Sequence, residues 1–222
     1  EVIMSNWNID LVLFSENLSV RGRDLVEQAR NRNILVEEVP FSLMKKISDT
    51  DHPQGVVALI EQNDMPIPKP LDFVLVCDCI NDPGNLGTIL RSADAAKAQV
   101  VLISTNSVDM YSPKVIRAGM GAHFHIPIIQ LDWEKISQLC KNSTPRLNVF
   151  LASANSDINC WDADFTQPAA LIIGNEATGP GEEAYQLADT LIKIPMPGKS
   201  ESLNASIAAS ILLFETVRQR WK

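Results

Sequence analysis

The sequence lacks any long apolar run: no stretch approaches the ~20 consecutive apolar residues that a membrane-spanning helix needs. Its first residues, 1–13, have no basic segment ahead of an apolar core, so no secretory signal peptide is predicted. The chain does not begin with Met, which fits a native start that lies further upstream. We expect a protein that is neither embedded in a membrane nor secreted.

Cysteine and histidine are scarce, with four and three copies. Cys77 and Cys79 are two positions apart in a strand-like run, which is not the C-x-x-C spacing of a zinc or redox site. The histidines do not combine with Cys140 or Cys160 in a metal-ligand spacing either. We therefore expect no metal, and buried thiols in the reducing cytoplasm.

Positive charge is also in short supply, and the formal net charge is −8. A protein that binds nucleic acid non-specifically is normally basic, so the total argues against that class. It does not exclude a local basic patch on an acidic body.

Three common ligand-binding patterns are missing. Gly174–Gly181 has the spacing of a phosphate-binding loop but lacks its Lys-Ser pair. Gly198-Lys199-Ser200 has that pair, but Lys193 stands where the first glycine should be. No G-x-G-x-x-G follows the first strand of either half and no G-x-S-x-G occurs, which argues against a dinucleotide site and a nucleophile elbow.

Residues 1–64 have the pattern of a small α/β unit. In chain order we expect strand Ile9–Phe14, helix Arg23–Arg32, strand Ile34–Val39, helix Phe41–Ile47 with Ser42 as its N-cap, and strand Val56–Glu61. The following segment, 62–71, carries three prolines at alternate positions, which excludes both a helix and a central strand. We interpret it as a linker, with a second domain at 65–222.

In the second domain, continuous apolar runs alternate with amphipathic stretches, which predicts a parallel sheet covered on both faces. The expected strands are Phe73–Cys79, Val100–Ile103, Ile126–Ile129, Val149–Ala152, Ala169–Ile173 and Leu191–Ile194. The expected helices are Leu86–Ala96, Pro113–Met120, Trp133–Lys141, Glu182–Ala188 and Ser202–Trp221.

Two Gly/Pro-rich loops follow predicted strand ends between Leu171 and Phe214, and loops at strand ends often carry ligands in α/β sheets. Glu176 lies in the first of them, where it could be a turn residue or a site residue. On the final helix we expect Leu203, Ile207, Ile211, Phe214 and Val217 to form the core face. Three small polar residues near its start favour a ligand over simple capping, and these are Ser202, Asn204 and Ser206.

The segment from Asn81 to Gly87 precedes another helix, and we interpret Asn85 as its N-cap. The apolar stripe of that helix is Leu86, Ile89, Leu90 and Ala93, and Arg91 lies off the stripe. Taken alone, this motif favours an ordinary surface arginine over a site residue.

Three separated segments resemble the signature motifs of the SpoU (TrmH-like) RNA ribose methyltransferases, in the family's order and near its spacing. They are NDPGNLGTILRSADAA, IIGNEATGPG and IPMPGKSESLNASIAASILL, and SPKVIRAGMGAHFHIPI resembles the block between the first two. The resemblance covers about 71–222. Residues 1–64 resemble, more weakly, the small ribosomal-protein-like substrate-binding domain that many members carry.

The resemblance implies an α/β fold with a parallel sheet whose C-terminal part is tied in a deep trefoil knot, preceded by a small α/β substrate-binding domain. It implies transfer of a methyl group from S-adenosylmethionine to a ribose 2′-hydroxyl. It also implies a homodimer with active sites near the interface. We add that the final helix ends in apolar Val217 and Trp221, more than a solvated end needs.

Carried over position by position, the resemblance assigns catalytic or other signature polar roles to Asn85, Arg91, Glu176, Ser202 and Asn204. It assigns cofactor contacts to Ala152, Ser153, Ala154, Gly174, Asn175, Ile194, Met196 and Leu203. Two departures are the variant end of the second motif at 178–181 and the missing basic lead-in helix before the first strand.

Basic residues on both domains are candidates for RNA contacts despite the acidic total: Arg21, Arg23, Arg30, Arg32, Lys114 and Arg117. Solvated helix faces are the alternative. Ribosomal RNA is the expected substrate, because the first domain resembles that of ribosome-modifying members. A tRNA enzyme and a catalytically silent RNA-binding homologue are the alternatives, and the intact polar motif positions argue against silence.

Overall fold

The computed structural model describes residues 1–48, 50, 52–175 and 178–221, and the chain divides into two compact units, Glu1–Asn63 and Asp64–Lys222. No helix among these residues is long and apolar enough to cross a membrane.

The first unit is a three-stranded sheet with two helices. Its elements are β1 (Ile9–Phe14), α1 (Val20–Asn31), β2 (Leu35–Glu38), α2 (Phe41–Ile47) and β3 (Val56–Ile60), in the sheet order β2-β1-β3. Strand β2 runs parallel to β1 and β3 runs antiparallel to it. The buried apolar residues include Val12 on β1, Val26 and Ala29 on α1, and Met44 on α2.

Helix α2 has the predicted bounds, whereas the start of α1 and the N-cap of α2 differ from the expectation. Helix α1 starts at Val20, three residues earlier than predicted, because the Ser19 side chain accepts a hydrogen bond from the Gly22 amide and caps it. Helix α2 has Pro40 as its N-cap, so the prediction of Ser42 was wrong. The Pro40 carbonyl accepts the first helical hydrogen bonds, and proline needs no amide partner at a helix start.

The second unit contains a six-stranded sheet in the order β6-β5-β4-β8-β7-β9, and all of its strand pairs are parallel, as predicted. The strands are β4 (Phe73–Cys77), β5 (Val100–Ser104), β6 (Ile128–Leu131), β7 (Asn148–Ala152), β8 (Ala169–Ile173) and β9 (Thr190–Ile192). The helices are α3 (Pro83–Ala95), α4 (Pro113–Gly119), α5 (Trp133–Lys141), α6 (Glu182–Leu187) and α7 (Ala205–Arg220).

Helices cover both faces of this sheet, which explains why its strands are uniformly apolar. Every residue of β4 is buried, and alternate side chains enter opposite layers because successive residues of a strand point to opposite faces. Phe73, Leu75 and Cys77 belong to the core shared with α3 and α7, whereas Val74 and Val76 belong to the core shared with α5 and α6.

Helix α3 is capped by Asp82, not by Asn85, so the predicted role of Asn85 as an N-cap was wrong. The Asp82 carboxylate accepts a hydrogen bond of 2.8 Å from the Asn85 amide, and Pro83 occupies the first turn, where a missing N–H costs little. This hydrogen bond is the main reason that the pKa of Asp82 is lowered. The Asn85 side chain is therefore available for contacts outside its own helix.

Helix α7 begins at Ala205, and the predicted core face was partly wrong. Ile207 and Phe214 are 51% and 49% exposed, and the buried positions are Ala205, Ser206, Ala209, Leu212, Leu213, Glu215 and Thr216. Small residues face α3, as the hydrogen bond of 2.8 Å between the Ser92 and Ser210 hydroxyls shows. The apolar residues of α7 occur on most sides of the helix, so periodicity alone could not identify which side is buried.

The parallel arrangement decides where the loops lie. Strands β4, β8, β7 and β9 are neighbours in the sheet, so the segments that follow them leave from the same edge. These segments are 78–82, 174–181, 153–155 and 193–204, and they include most of the sequence motifs.

Candidate active site

A cavity of about 290 Å³ opens where the chain leaves β7, β8 and β9. All the residues to which cofactor contacts were assigned line it: Ala152, Ser153, Ala154, Gly174, Asn175, Ile194, Met196 and Leu203. Its volume is near the lower end of the ~300–1,000 Å³ usual for small-molecule sites. The fold thus brings together positions from three separate segments of the chain.

Other residues of the lining had no clear signal in the sequence. Thr178, Gly179 and Pro180 belong to the segment IIGNEATGPG, but the sequence does not indicate that they face the cavity. Tyr185 on α6 and Lys193 after β9 also line the cavity, and neither belongs to a recognisable spacing pattern.

The loop after β8 is folded back on itself. A Cβ atom built on Gly174 would lie 2.6 Å from the Pro180 nitrogen and 2.7 Å from its Cα, a separation that real side chains do not adopt. The Asn175 carbonyl accepts a hydrogen bond from the Gly179 amide, and Gly179 has a left-handed φ of +72°. Glycine is therefore required at 174 by close approach and favoured at 179 by backbone conformation.

Asn175 holds the same loop against the end of β4. Its side-chain amide donates a hydrogen bond of 2.9 Å to the Cys79 carbonyl, and its side-chain oxygen accepts one of 3.2 Å from the Thr178 amide. The assigned cofactor residue Asn175 thus lines the cavity and also fixes the shape of the wall.

A buried carboxylate that the sequence did not single out makes a second connection at this point. Asp78 is fully buried, and it accepts a hydrogen bond of 2.7 Å from the Gly181 amide. It also contributes to the raised pKa of the Cys77 thiol, which burial and this carboxylate together move to about 12. Asp78 thereby ties the end of β4 to the far end of the loop that lines the cavity.

The assigned catalytic residues come together in part. The Asn204 side chain donates a hydrogen bond of 2.9 Å to the Asn85 side-chain oxygen, which joins the N-terminus of α3 to that of α7. The Asn204 oxygen also accepts from the Ser206 amide at 2.9 Å and so caps α7. Ser202 lines the cavity, and Glu176 lies outside the described residues.

Arg91 is exposed on α3, six positions beyond Asn85. It makes no ion pair with any residue that the structure describes. Helix α4 packs closely on α3, since a Cβ atom on Gly87 would lie 2.5 Å from that of Ala118. Two of the predicted RNA-binding residues, Lys114 and Arg117, are exposed on α4, so three cations lie on this pair of helices.

In the first unit, two of the predicted RNA-binding arginines already have local partners. Arg30 pairs with Glu27 at 2.6 Å and lies over the Phe14 ring, and Arg32 donates to the Ile3 carbonyl. Arg21 and Arg23 are exposed at the start of α1.

Within the described residues, no three His, Cys, Asp or Glu side chains come close enough to hold a metal ion.

Comparison with known proteins matches both units. The model of the SpoU rRNA methylase family matches residues 72–214, and that of the RNA 2′-O ribose methyltransferase substrate-binding domain matches 1–66. A 23S rRNA (uridine(2479)-2′-O)-methyltransferase from Streptomyces viridochromogenes is 34% identical over 96% of this chain and 77% of its own length. The human mitochondrial rRNA methyltransferase 3 is 34% identical over 85% of this chain, which spans 58% of that relative.

The solved structures include a near match over almost the whole chain. The crystal structure of the SpoU methyltransferase AviRb from Streptomyces viridochromogenes, in complex with AdoMet, has a TM-score of 0.85 and 31% identity, covering 97% of this chain and 84% of that one. With a family model that matches most of its length and relatives of this similarity, the chain belongs to the SpoU rRNA methylase family.

Proposed function

We propose that this protein is an S-adenosylmethionine-dependent RNA methyltransferase that methylates a ribose 2′-hydroxyl in ribosomal RNA. The proposal rests mainly on the position of the cavity next to the two helix starts that carry signature polar residues. The cavity lined by the motif positions opens beside the start of α7, whose Asn204 is hydrogen-bonded to Asn85 on α3.

The lining of the cavity suits S-adenosylmethionine. Ile194, Met196 and Leu203 offer apolar surface for a purine ring, while Ser153 and Ser202 offer hydroxyls for the sugar and amino-acid parts. When bound, the cofactor supplies a methyl group on a positively charged sulfur. The backbone at 174–175 and 178–181, anchored to the end of β4 through Asn175 and Gly181, holds one wall of the site in a fixed shape.

A ribose hydroxyl is a weak nucleophile, so positioning and stabilisation of its developing negative charge are the main needs. Arg91 is a cation on the helix that also presents Asn85, and a guanidinium group is in general too weak a base to accept the hydroxyl proton. We infer that it holds the adjacent RNA phosphate and stabilises the developing alkoxide, and that it does not remove the proton. The Asn85–Asn204 hydrogen bond holds the start of α3 against the start of α7, which fixes the position of the helix that presents Arg91.

Ribosomal RNA is preferred as the substrate because the first unit matches a substrate-binding family model and the relatives reported above are named as rRNA enzymes. Mapping 2′-O-methyl groups in total RNA from a deletion strain tests this choice. A methyl group lost from ribosomal RNA, and restored by the intact gene, supports the proposal. Loss from tRNA would favour the tRNA alternative, and no loss anywhere would favour a silent RNA-binding homologue.

We propose that residues 1–64 form the RNA-binding domain and that 65–222 form a methyltransferase domain tied in a trefoil knot. This proposal is supported by the boundary between the two compact units, which falls between Asn63 and Asp64 in the chain. The knot is supported by the path of the chain. After β9, at one edge of the sheet, the chain is bridged at Lys193 to Asn159 in the β7–β8 segment, and then returns to α7 beside α3.

We infer that two copies pair through α7. Ile207 and Phe214 are each about half exposed on this helix, and Trp221 at its end is 81% exposed, whereas Val217 packs into the core. Exposed apolar side chains on one helix are typical of a subunit interface.

The four thiols are free, which supports the reducing cytoplasm as the compartment.

A double substitution tests this pairing. Ile207→Asp with Phe214→Asp places two charges where apolar contact is expected, so we expect a folded monomer by light scattering at micromolar concentration, with a dimer for the native protein. Leu35→Asp, at a residue of the first unit that is 58% exposed, is the matched control and should leave the dimer intact. A native protein that is monomeric would contradict the inference.

A second prediction concerns the buried carboxylate of Asp78. Asp78→Ala removes the acceptor of the Gly181 amide and loosens the wall of the cavity. A hydrogen bond to a charged group contributes ~1.5–3 kcal/mol, so S-adenosylmethionine should bind about 10- to 100-fold more weakly by calorimetry. Asp109→Ala is the control, because Asp109 also accepts from a backbone amide, that of Tyr111, but is exposed in another loop. Equal cofactor affinities of these two variants, both folded, would show that Asp78 does not support the site.

A further inference from the structure

A second hollow adjoins the cofactor cavity. This groove, of about 540 Å³, is lined by Asn159, Trp161, Lys193, Pro195, Pro197 and Ser200 among others. It shares Ala154, Lys193, Ile194 and Met196 with the lining of the cavity. A group bound in the groove therefore lies beside whatever occupies the cavity.

Trp161 is the largest side chain of the groove, and its exposure does not come from a loose loop. The indole is 59% exposed, although the neighbouring Cys160 is fully buried. The Asp162 amide donates to the Asn159 carbonyl at 3.0 Å, and the Cys160 amide donates to the Lys193 carbonyl at 2.7 Å. A tight turn fixed to the chain after β9 thus presents an indole to solvent.

The chemistry beside the indole indicates what kind of group the groove takes. Lys193 makes no ion pair within the part of the chain that the structure describes. Ser200 adds a hydroxyl to the lining, and Asn159 adds a side chain whose amide donates to the Asp162 carboxylate at 2.9 Å. A flat aromatic surface flanked by a cation and by polar groups suits a nucleotide, whose base stacks and whose phosphate is attracted to the cation. A protein partner would be better matched by the apolar face of α7, where Ile207 and Phe214 are exposed.

We propose that the Trp161 groove is a nucleobase subsite, in which an unpaired base of the RNA substrate stacks on the indole beside the cofactor cavity. This inference rests on the proposed function. Bases in a duplex are already stacked on their neighbours, so the groove selects single-stranded or flipped nucleotides. Stacking on the indole and the single cation of Lys193 provide both parts of such a site locally, on a chain with a net charge of −8.

The test uses the full-length protein, a short single-stranded oligoribonucleotide of mixed sequence, and the same sequence as a duplex. Trp161→Ala should weaken binding of the single strand about 10- to 100-fold, and Trp161→Phe, which keeps an aromatic face, should restore most of it. The single strand should quench the fluorescence of the native protein but not of Trp161→Phe, in which Trp7, Trp133 and Trp221 remain. The duplex should produce little quenching in either protein.

Two controls separate the possible failures. Calorimetry should give the same S-adenosylmethionine affinity for Trp161→Ala as for the native protein, and light scattering should give the same oligomeric state. A Trp161→Ala protein that changes its oligomeric state would identify Trp161 as a subunit contact and overturn the proposal. A native protein that methylates ribosomal RNA, with an unchanged KM for RNA in Trp161→Ala, would also overturn it. Absence of methylation by the native protein would instead refute the proposed function.

Discussion

Replacing Arg91 with alanine is expected to slow single-turnover methyl transfer about 10²–10³-fold, the usual cost of losing one donor to a developing oxyanion. The cofactor affinity and the melting temperature should stay near those of the native protein, because Arg91 is exposed on α3 and does not line the cofactor cavity. The measurement is rapid-quench methylation of the RNA, with calorimetry of S-adenosylmethionine in parallel.

Two variants make this result specific. Arg91→Lys keeps the charge but loses the planar fork that binds two oxygens, so its rate should fall between those of the native protein and Arg91→Ala. Arg146→Ala removes another exposed arginine, paired with Asp189, and should leave the rate unchanged. Near-native turnover by Arg91→Ala would mean that Arg91 is an ordinary surface residue.

Gly174→Val is expected to have the opposite profile, with cofactor binding lost. The Cβ atom of the new side chain would lie 2.6 Å from the Pro180 nitrogen, and the three nearest atoms all belong to the backbone of Gly179 and Pro180, so no flexible side chain can move away. The loop would have to separate, which opens the wall of the cavity. We expect at least about 100-fold weaker binding of S-adenosylmethionine by calorimetry.

Gly198→Val is the matched control for this substitution. Gly198 lies in the loop between β9 and α7, and a Cβ atom there would meet nothing within 4 Å. Its variant should bind the cofactor nearly as well as the native protein. If Gly174→Val binds as well as Gly198→Val while both remain folded, the loop at 174–181 is not part of the cofactor site.

The sheet could be predicted from the sequence because its strands are buried on both faces, and a short, uniformly apolar run such as Phe73–Cys77 is typical of a strand in that position. Helix positions followed where one face is clearly apolar, as in α3. Helix α7 was also placed correctly along the chain, but its buried face was not. Its apolar residues lie on most sides of the axis, so Ile207 and Phe214 were assigned to the core although both are half exposed.

Some residues of the candidate site could be assigned from the sequence, and others could not. Positions within the three motifs were found by resemblance, and the fold gathers the eight assigned cofactor positions around one cavity. Asp78 and Trp161 have no such pattern, because a single aspartate or tryptophan gains meaning only from its neighbours in space. The cap of α3 was misassigned because Asp82 and Asn85 are both good capping residues, and only the structure shows which one accepts the hydrogen bond.

Methyl transfer to a ribose hydroxyl can be followed with a labelled cofactor. The purified protein is incubated with S-adenosylmethionine that carries an isotopically labelled methyl group and with RNA from a deletion strain, and the RNA is then digested to nucleosides for mass spectrometry. We expect label on the ribose of a nucleoside from ribosomal RNA, and much less label with Arg91→Ala. Label on a base, or no transfer by a protein that binds S-adenosylmethionine, would exclude 2′-O-methylation as its activity.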